Sequence, residues 1–460
     1  MNILLTHAYF LAEDAKEQEI MKPYPTLGLL YVSGYLKKHG VEHQVYDTTF
    51  SSMRAFKQLI EDTKPQMLAM YTNLMTKVKV VELMQYVRSV PDMAACKIVL
   101  GGPDVTYNVE AYLNAGADYL VIGEGEQTML ELIETLKENG DESTVQGLAF
   151  RRDGQVIQTP SRVKMKSLAE LPLPNREAYP IEKYLATWKE HHGYSALNVS
   201  TQRGCPYTCK WCSTAVYGQS YRRRPAEQVV DELKHLHERY QPEVFWFVDD
   251  VFTVSHKWLK DFRDQVVSSG LQIRFECITR AERMNDEVIQ WLKEAGCYRV
   301  WIGAESGSQR IIDAMDRRVD VQHVKDMLIK TREAGIETGT FIMMGYPGET
   351  MEDIKTTAKY LVDTQPDHFT ITKSYPIRGT QLFEEVKHRL THEPDWNVST
   401  DREIDFERAY SDRFYGWAIR YMNNLVLLRK QASGGNYSLT IAAKTFVSLL
   451  MMRLESLRQV

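Results

Sequence analysis

The sequence predicts an α/β protein made of two successive alternations of strand and helix, followed by a helical tail. Three observations predict it. Residues 1–140 place five short apolar runs between amphipathic stretches, and a second series of the same kind runs from Tyr194 to about Thr372. Between them the alternation breaks into a hairpin signal and closely spaced prolines. Strict alternation marks a parallel sheet covered by helices on both faces. A chain of 460 residues also exceeds what one hydrophobic core serves, so two or three domains are expected.

In the first series the strands are read at Ile3–Thr6, His43–Asp47, Met67–Tyr71, Lys97–Leu100 and Tyr119–Ile122. Helical patterns at Leu27–Lys38, Thr76–Arg88 and Thr128–Glu138 lie between them, giving a doubly wound, Rossmann-like sheet over residues 1–140. Ligands of such sheets bind beyond the carboxyl ends of the strands. There stand Gly101-Gly102-Pro103, after the fourth strand, and Gly123-Glu124-Gly125-Glu126, after the fifth. Glycine at such places admits a closely approaching ligand or a positive φ, and an ordinary strand-to-helix turn leaves the same mark.

Residues 141–193 read as a hairpin (Gly147–Phe150, then Val156–Gln158) leading into a proline-rich linker around Leu171-Pro172-Leu173-Pro174. In the second series, over residues 194–394, strands are expected at Leu197–Thr201, Val244–Val248, Ile273–Cys277, Arg299–Gly303, Thr338–Met343 and His368–Thr372. Six β/α units are fewer than the usual eight, which favours an open, partial TIM-type barrel. The tail, residues 395–460, carries the stripe Phe414, Trp417, Ala418, Tyr421 and later Phe446–Met452. Aromatics and methionines at helical spacing read as core packed on the barrel, the alternative being a membrane-facing or lipid-substrate surface.

The composition, 43% hydrophobic and 25% charged with a net charge of −5, is that of a globular protein and argues against a general nucleic-acid partner. The N-terminus lacks a signal-peptide pattern, and no apolar run reaches the roughly 18 residues of a membrane span, so a cytoplasmic protein with no membrane span is expected. Three of the six cysteines, Cys205, Cys209 and Cys212, fall within eight residues. In a large cytoplasmic protein such a cluster favours metal ligation over disulfides. Cys96, Cys277 and Cys297 are scattered and read as buried, inert thiols.

The spacing C-x3-C-x2-C, in the loop after the first strand of the second series, wraps three irons of a cubane and leaves the fourth open. A zinc site needs four ligands, usually as two short pairs, and none of the other cysteines supplies a pair. With Trp211 before the last cysteine, the segment resembles the signature of the radical S-adenosylmethionine (SAM) superfamily. The resemblance implies a [4Fe–4S] cluster on Cys205, Cys209 and Cys212 whose open iron chelates SAM. It also implies reductive cleavage of SAM to a 5′-deoxyadenosyl radical, with electrons from a donor such as flavodoxin or ferredoxin. The later strand ends follow the family order. They carry Asp250 for the methionine ammonium, Arg280 for its carboxylate or the ribose, and Glu305 or Ser306 for the ribose. Gly345 and Glu349 resemble the adenine-side motif and Tyr375 opens the closing loop, where Arg378 replaces the usual proline or small residue.

Pro25, Leu27 and Gly28, with Gly101, Gly102, Pro103, Gly123, Glu124, Gly125 and Glu126, resemble the cobalamin-binding domain of one large radical SAM subclass, whose members include methyltransferases and hopanoid or tetrapyrrole cyclase-type enzymes. The resemblance implies cobalamin as a second cofactor, with Thr72 and Asn73 at the polar rim. Two departures are visible. There is no Asp-x-His-x-x-Gly motif to supply a cobalt ligand, and Asp104 stands where relatives frequently have histidine. The implied activity is methylation of an unactivated carbon of a small-molecule or lipid substrate. Rearrangement, cyclisation, ring contraction or oxidation with the same cofactors is the alternative. A non-catalytic cobalamin or redox sensor is the alternative of another class, but no output element is visible. A tRNA methylthiotransferase would bring an RNA-binding β-barrel and further cluster cysteines that this sequence lacks.

Overall fold

The computed structural model describes residues 1–213, 216–435 and 437–458. Its first sheet contains β1 (Ile3–His7), β2 (Gln44–Tyr46), β3 (Met67–Tyr71), β4 (Lys97–Gly101) and β5 (Tyr119–Val121). Every side chain of β1 is buried, as expected of a central strand covered on both faces. The order is β2-β1-β3-β4-β5, all in parallel register, so the winding reverses at β1. In an open α/β sheet that reversal opens a crevice at the strands' carboxyl ends. Phe56, Leu68, Met84, Ile98 and Leu120 are fully shielded from solvent in the core of this layer.

The hairpin differs from the expectation of a connector. β6 (Leu148–Arg152) pairs antiparallel with β5, placing Phe150 opposite Tyr119, and β7 (Gln155–Gln158) follows it. Leu148, Ala149 and Phe150 are buried there, and the open edge of β5 gains its hydrogen-bond partners. The proline-rich stretch is likewise followed by a helix, Ile181–His192, within the predicted linker. Trp188 Nε1 donates to Pro23 O at 2.7 Å and the Tyr184 hydroxyl to Asp47 at 2.8 Å, which fastens this helix to the first sheet's layer.

The second sheet contains β8 (Ala196–Val199), β11 (Val244–Phe247), β12 (Phe275–Thr279), β13 (Cys297–Glu305), β14 (Glu337–Met344) and β15 (His368–Lys373). Two-residue strands β9 (Gln202–Arg203) and β10 (Arg222–Arg223) pair with each other beside it. The six strands follow chain order, β15-β14-β13-β12-β11-β8, with β12 to β15 parallel, as a partial (β/α)6 barrel requires. Phe247, Phe252, Phe262 and Phe275 stack tilted or edge-to-face at 4.7–6.1 Å beneath β12 and its neighbouring helices. Each buried phenylalanine contributes about 1.5–3 kcal/mol of apolar burial.

Two compact units result. One holds Met1–Pro206, Ser213–Trp246 and Glu393–Ile404; the other holds Tyr207–Cys212, Phe247–His392 and the chain from Asp405 onward. Residues 393–404, expected to belong to the tail, thus pack within the first unit, where Trp396 stacks edge-on against Tyr112 at 4.7 Å. The second unit ends with the short pair β16 (Leu390–His392) and β17 (Asp405–Phe406) and two long helices, Asp412–Ser433 and Leu439–Leu457. Phe414 and Ala418 are core, as expected. The stripe Phe446–Met452 is core only in part: Ser448 and Met452 are buried with Thr445 and Glu455, while Phe446 is 67% exposed.

Candidate active site and cofactor residues

The cysteine loop leaves the short strand β9 and is pinned on its far side within the second unit. Thr208 Oγ1 donates to Asp316 Oδ2 at 3.1 Å, and Leu382 N donates to Lys210 O at 2.9 Å. Lys210 Nζ also pairs with Glu385 at 2.8 Å. Trp211, the aromatic of the cysteine signature, packs against the apolar cluster of Ile311, Met315, Tyr346, Leu382, Val386 and Phe406. Cys205 and Cys209 are half-buried and Cys212 is exposed, whereas Cys96, Cys277 and Cys297 are buried. Burial pushes the Cys96 thiol up to about 11 and that of Cys277 well above its ordinary value, so both are inert. Among the described residues no three His, Cys, Asp or Glu side chains close on one point. A cubane makes no such demand, because each thiolate takes its own iron.

Arg280 lies at the end of β12. Its Nη1 donates to Cys209 Sγ at 3.1 Å, its other nitrogens donate to Glu282 and to the Arg317 carbonyl, and its guanidinium lies 3.9 Å from the Tyr207 ring centroid. Nη1 thus braces the cluster loop, while the other donors tie Arg280 to Glu282 and Arg317.

Glu305 ends β13 across a register shift in the pairing with β14, and its φ of +63° is left-handed. A bulge combined with positive φ on a non-glycine residue re-aims a side chain and marks functional strand ends. Burial raises the Glu305 carboxyl above its usual range, and the Arg317 and Arg280 cations partly oppose it. Arg317 is 3% exposed; its Nη2 donates to Gly303 O at 3.0 Å, while Nε and Nη1 have no hydrogen-bond partner. Glu282 Oε2 is likewise unpartnered. Those two Arg317 nitrogens face carboxylates as longer ion pairs, Nη1 at 3.5 Å from Glu282 Oε1 and Nε at 4.0 Å from Glu305 Oε1, which leaves their hydrogen bonding incomplete.

Ser306, offered with Glu305 as the ribose contact, is spent on the fold. Its hydroxyl bonds Thr357 Oγ1 at 3.1 Å and accepts from Ser308 N at 3.1 Å. Glu349 is also internal: it accepts from Gly345 N at 2.6 Å, closing the turn after β14. Burial pushes its carboxyl up to about 8. Gly345 has a φ of +74°, and a Cβ there would stand 3.0 Å from Arg408 Cδ. Asp250 is exposed to solvent while Asp249 beside it is buried; partial desolvation and then the Asp249 charge raise the Asp250 carboxyl. Tyr375 is half-buried after β15.

In the first unit the glycines stand at the carboxyl ends of β4 and β5, beside the crevice. Gly102 has a φ of +114°, and a Cβ there would fall 2.3 Å from Thr72 O, so no other residue fits. Thr72 N donates to Gly101 O at 2.7 Å, yet the fully buried Thr72 hydroxyl has no partner. Asn73 turns its side chain to the backbone nitrogens of Met75 and Thr76 and so starts the next helix. Pro25 O accepts from Asn198 Nδ2 at 2.9 Å, Leu27 begins a helix, and a Cβ on Gly28 would touch the Tyr71 ring at 3.5 Å. Pro103 opens a 3-10 turn, and Gly125 opens the helix Gly125–Lys137.

Glu124 and Glu126 pair with arginines of the protein itself. Arg203, two residues before Cys205, is 5% exposed and pairs with both, and Arg222 Nη1 donates to Glu124 at 2.7 Å. Arg224 is buried against Glu232. Arg222 and Arg224, after the cluster, are thus paired within the protein. Asp104 accepts from Tyr112 and Asn108, and so is tied to the protein itself. Sequence reasoning missed Tyr207, Arg317, Glu282 and Arg203.

Residues 199–361 match the radical SAM superfamily and residues 19–133 match the B12 binding domain. This chain is a radical SAM protein with a B12-binding domain. Its cofactors are accordingly a [4Fe–4S] cluster, SAM and cobalamin. The radical SAM–B12 protein is 28% identical over 400 residues to an uncharacterized methyltransferase of Pyrococcus horikoshii, a match spanning 84% of each chain. It is 25% identical over 407 residues to the anaerobic magnesium-protoporphyrin IX monomethyl ester cyclase of Rubrivivax gelatinosus, covering 85% of this chain and 71% of that one. Its fold resembles that of the radical SAM methyltransferase TsrM of Kitasatospora setae, solved with cobalamin and a [4Fe–4S] cluster, at a TM-score of 0.69 and 18% identity over 84% of this chain and 74% of that one. The residues present fit these groups. The cysteine loop has a cation at a thiol, Arg317 keeps two nitrogens without hydrogen bonds beside the desolvated Glu305 carboxyl, and the fully buried Thr72 hydroxyl has no partner at the glycine-lined edge.

Proposed function

We propose that this enzyme is a cobalamin-dependent radical SAM methyltransferase acting at an unactivated carbon of a small-molecule or lipid substrate. The observation that carries the reading is the union, in one chain, of the cysteine loop and a B12-binding sheet, supported by a relative of similar length named as a methyltransferase. When bound, the cluster, SAM and cobalamin supply radical generation and methyl-carrying chemistry.

The protein's part is to hold and orient. Cys205, Cys209 and Cys212 hold the cluster, and Arg280 braces the loop through its contact with Cys209 Sγ. Arg317 offers Nε and Nη1, which make no hydrogen bond within the protein, to the methionine carboxylate, Asp250 offers its charge to the methionine ammonium, and Glu305 faces the ribose. Gly345 and Tyr375 line the adenine side. The edge formed by Gly28, Thr72, Gly101, Gly102 and Gly123 receives the corrinoid. We assign cobalamin binding to the N-terminal sheet and radical generation to residues 194–394, in a cytoplasmic enzyme fed by a flavodoxin- or ferredoxin-type donor.

Omitting cobalamin tests the reading. Enzyme reconstituted anaerobically with and without cobalamin is given reductant, SAM and a panel of hopanoid lipids and tetrapyrroles. Methylated product should require cobalamin. Product of unchanged carbon count would overturn methylation and favour the second reading, cyclisation or rearrangement, which the protoporphyrin cyclase relative supports.

A further inference from the structure

The helix Leu439–Leu457 is amphipathic in the reverse of the usual sense. Its inner face, packed on the helix Asp412–Ser433, consists of Thr445, Ser448, Met452 and Glu455, all buried. The two hydroxyls are satisfied within the helix: Thr445 Oγ1 donates to Ile441 O at 2.8 Å and Ser448 Oγ to Lys444 O at 2.7 Å. The outer face carries Leu439, Phe446, Val447, Leu450, Leu454 and Leu457, each between 43% and 78% exposed. At helical period these form one stripe about 27 Å long. A contiguous apolar stripe of that size marks an interaction surface.

Charge identifies the occupant. Lys444, Arg453 and Arg458 flank the stripe, and the helix's single acid, Glu455, is buried and accepts from Arg458 Nη1 at 2.7 Å. From Asp412 to Arg458, seven basic residues stand against two acidic ones, a net +5 in a chain whose total is −5. Pairing this helix with a second copy across a two-fold axis would set bases against bases, with no exposed acid on either side. An anionic lipid leaflet offers hydrocarbon to the stripe and phosphate to its rim. No helix among the described residues is long and apolar enough to cross a membrane, so the contact is lateral.

We propose that the helix Leu439–Leu457 docks this enzyme, lying flat, on the surface of an anionic membrane. Phe446 and the leucines enter the headgroup boundary while Lys444, Arg453 and Arg458 stay at phosphate level. The proposal does not depend on the reaction catalysed. Flotation of the full-length, cofactor-loaded protein with vesicles of equal parts phosphatidylcholine and phosphatidylglycerol, against pure phosphatidylcholine, tests it. The protein should float with the anionic vesicles about tenfold better, and high salt should release it. F446S/L450S should abolish flotation, and K444E/R453E should remove the preference for anionic lipid. These side chains are exposed, and unchanged thermal melting of both variants verifies the fold. Failure to float, or equal flotation on both vesicles, would overturn the proposal. So would a dimer in light scattering that F446S/L450S dissociates while vesicle binding is absent.

Discussion

Arg203 precedes the cysteine loop in sequence, Arg280 meets it from the end of β12, and each is spent on positioning. Arg280 meets Cys209 Sγ at 3.1 Å, and Arg203 takes the two glutamates that follow β5. The three cysteines were legible because ligand spacing within eight residues is local information. The fate of Glu124 and Glu126 was not, since their partner lies nearly eighty residues away and only the fold reveals it. Arg317 was hidden for another reason: Arg318 beside it is equally basic, and the chain alone does not say that Arg317 is buried while Arg318 is exposed. Glu349 gives a prediction at this scale. Its carboxyl is raised from the ordinary value to about 8, so folding favours its protonated form. That contribution is complete below about pH 4.5 and is lost as pH rises through 8. E349Q retains an acceptor for Gly345 N and removes the titration. Thermal melts should show the wild type losing stability relative to E349Q between pH 5 and pH 8, by a few degrees; parallel curves would refute this.

Among the elements, nearly all strands were readable because buried parallel strands are continuous apolar runs bounded by turn residues. The errors fell where tertiary context overrode local pattern. The hairpin after residue 147 looked like a connector, yet the open edge of β5 recruits it. The helix Leu439–Leu457 looked like core because apolar residues at helical spacing usually are; its orientation depends on which face the helix Asp412–Ser433 covers. β13 shows a third case, in which a bulge invisible in the sequence turns Glu305 toward Arg317. The start of the helix Gly125–Lys137 is joined to β9 by the buried Arg203–Glu126 pair. Breaking such a pair strands a buried charge at a cost of about 3 kcal/mol. E126Q should therefore lower the unfolding free energy obtained from urea titration by that amount, through a lower midpoint at little-changed slope, whereas a loss under about 1 kcal/mol would mean that Glu124 alone suffices.

For the whole molecule, the order of parts was legible: a sheet of reversed winding, a cysteine loop, then six β/α units with polar groups at their carboxyl ends. The return of residues 393–404 to the first unit was not, because Trp396 finds Asn108 and Tyr112 across nearly three hundred residues. The same chain concentrates positive charge in its last two helices while the remainder is acidic, a division that net charge conceals. At this scale the account makes one claim above the rest, that the cobalamin and radical SAM parts together move a methyl group. Mass spectrometry of the product formed anaerobically from SAM deuterated on its methyl group tests that claim. The account predicts product carrying the deuterated methyl and formed together with 5′-deoxyadenosine; 5′-deoxyadenosine accompanied by a product without deuterium would contradict it.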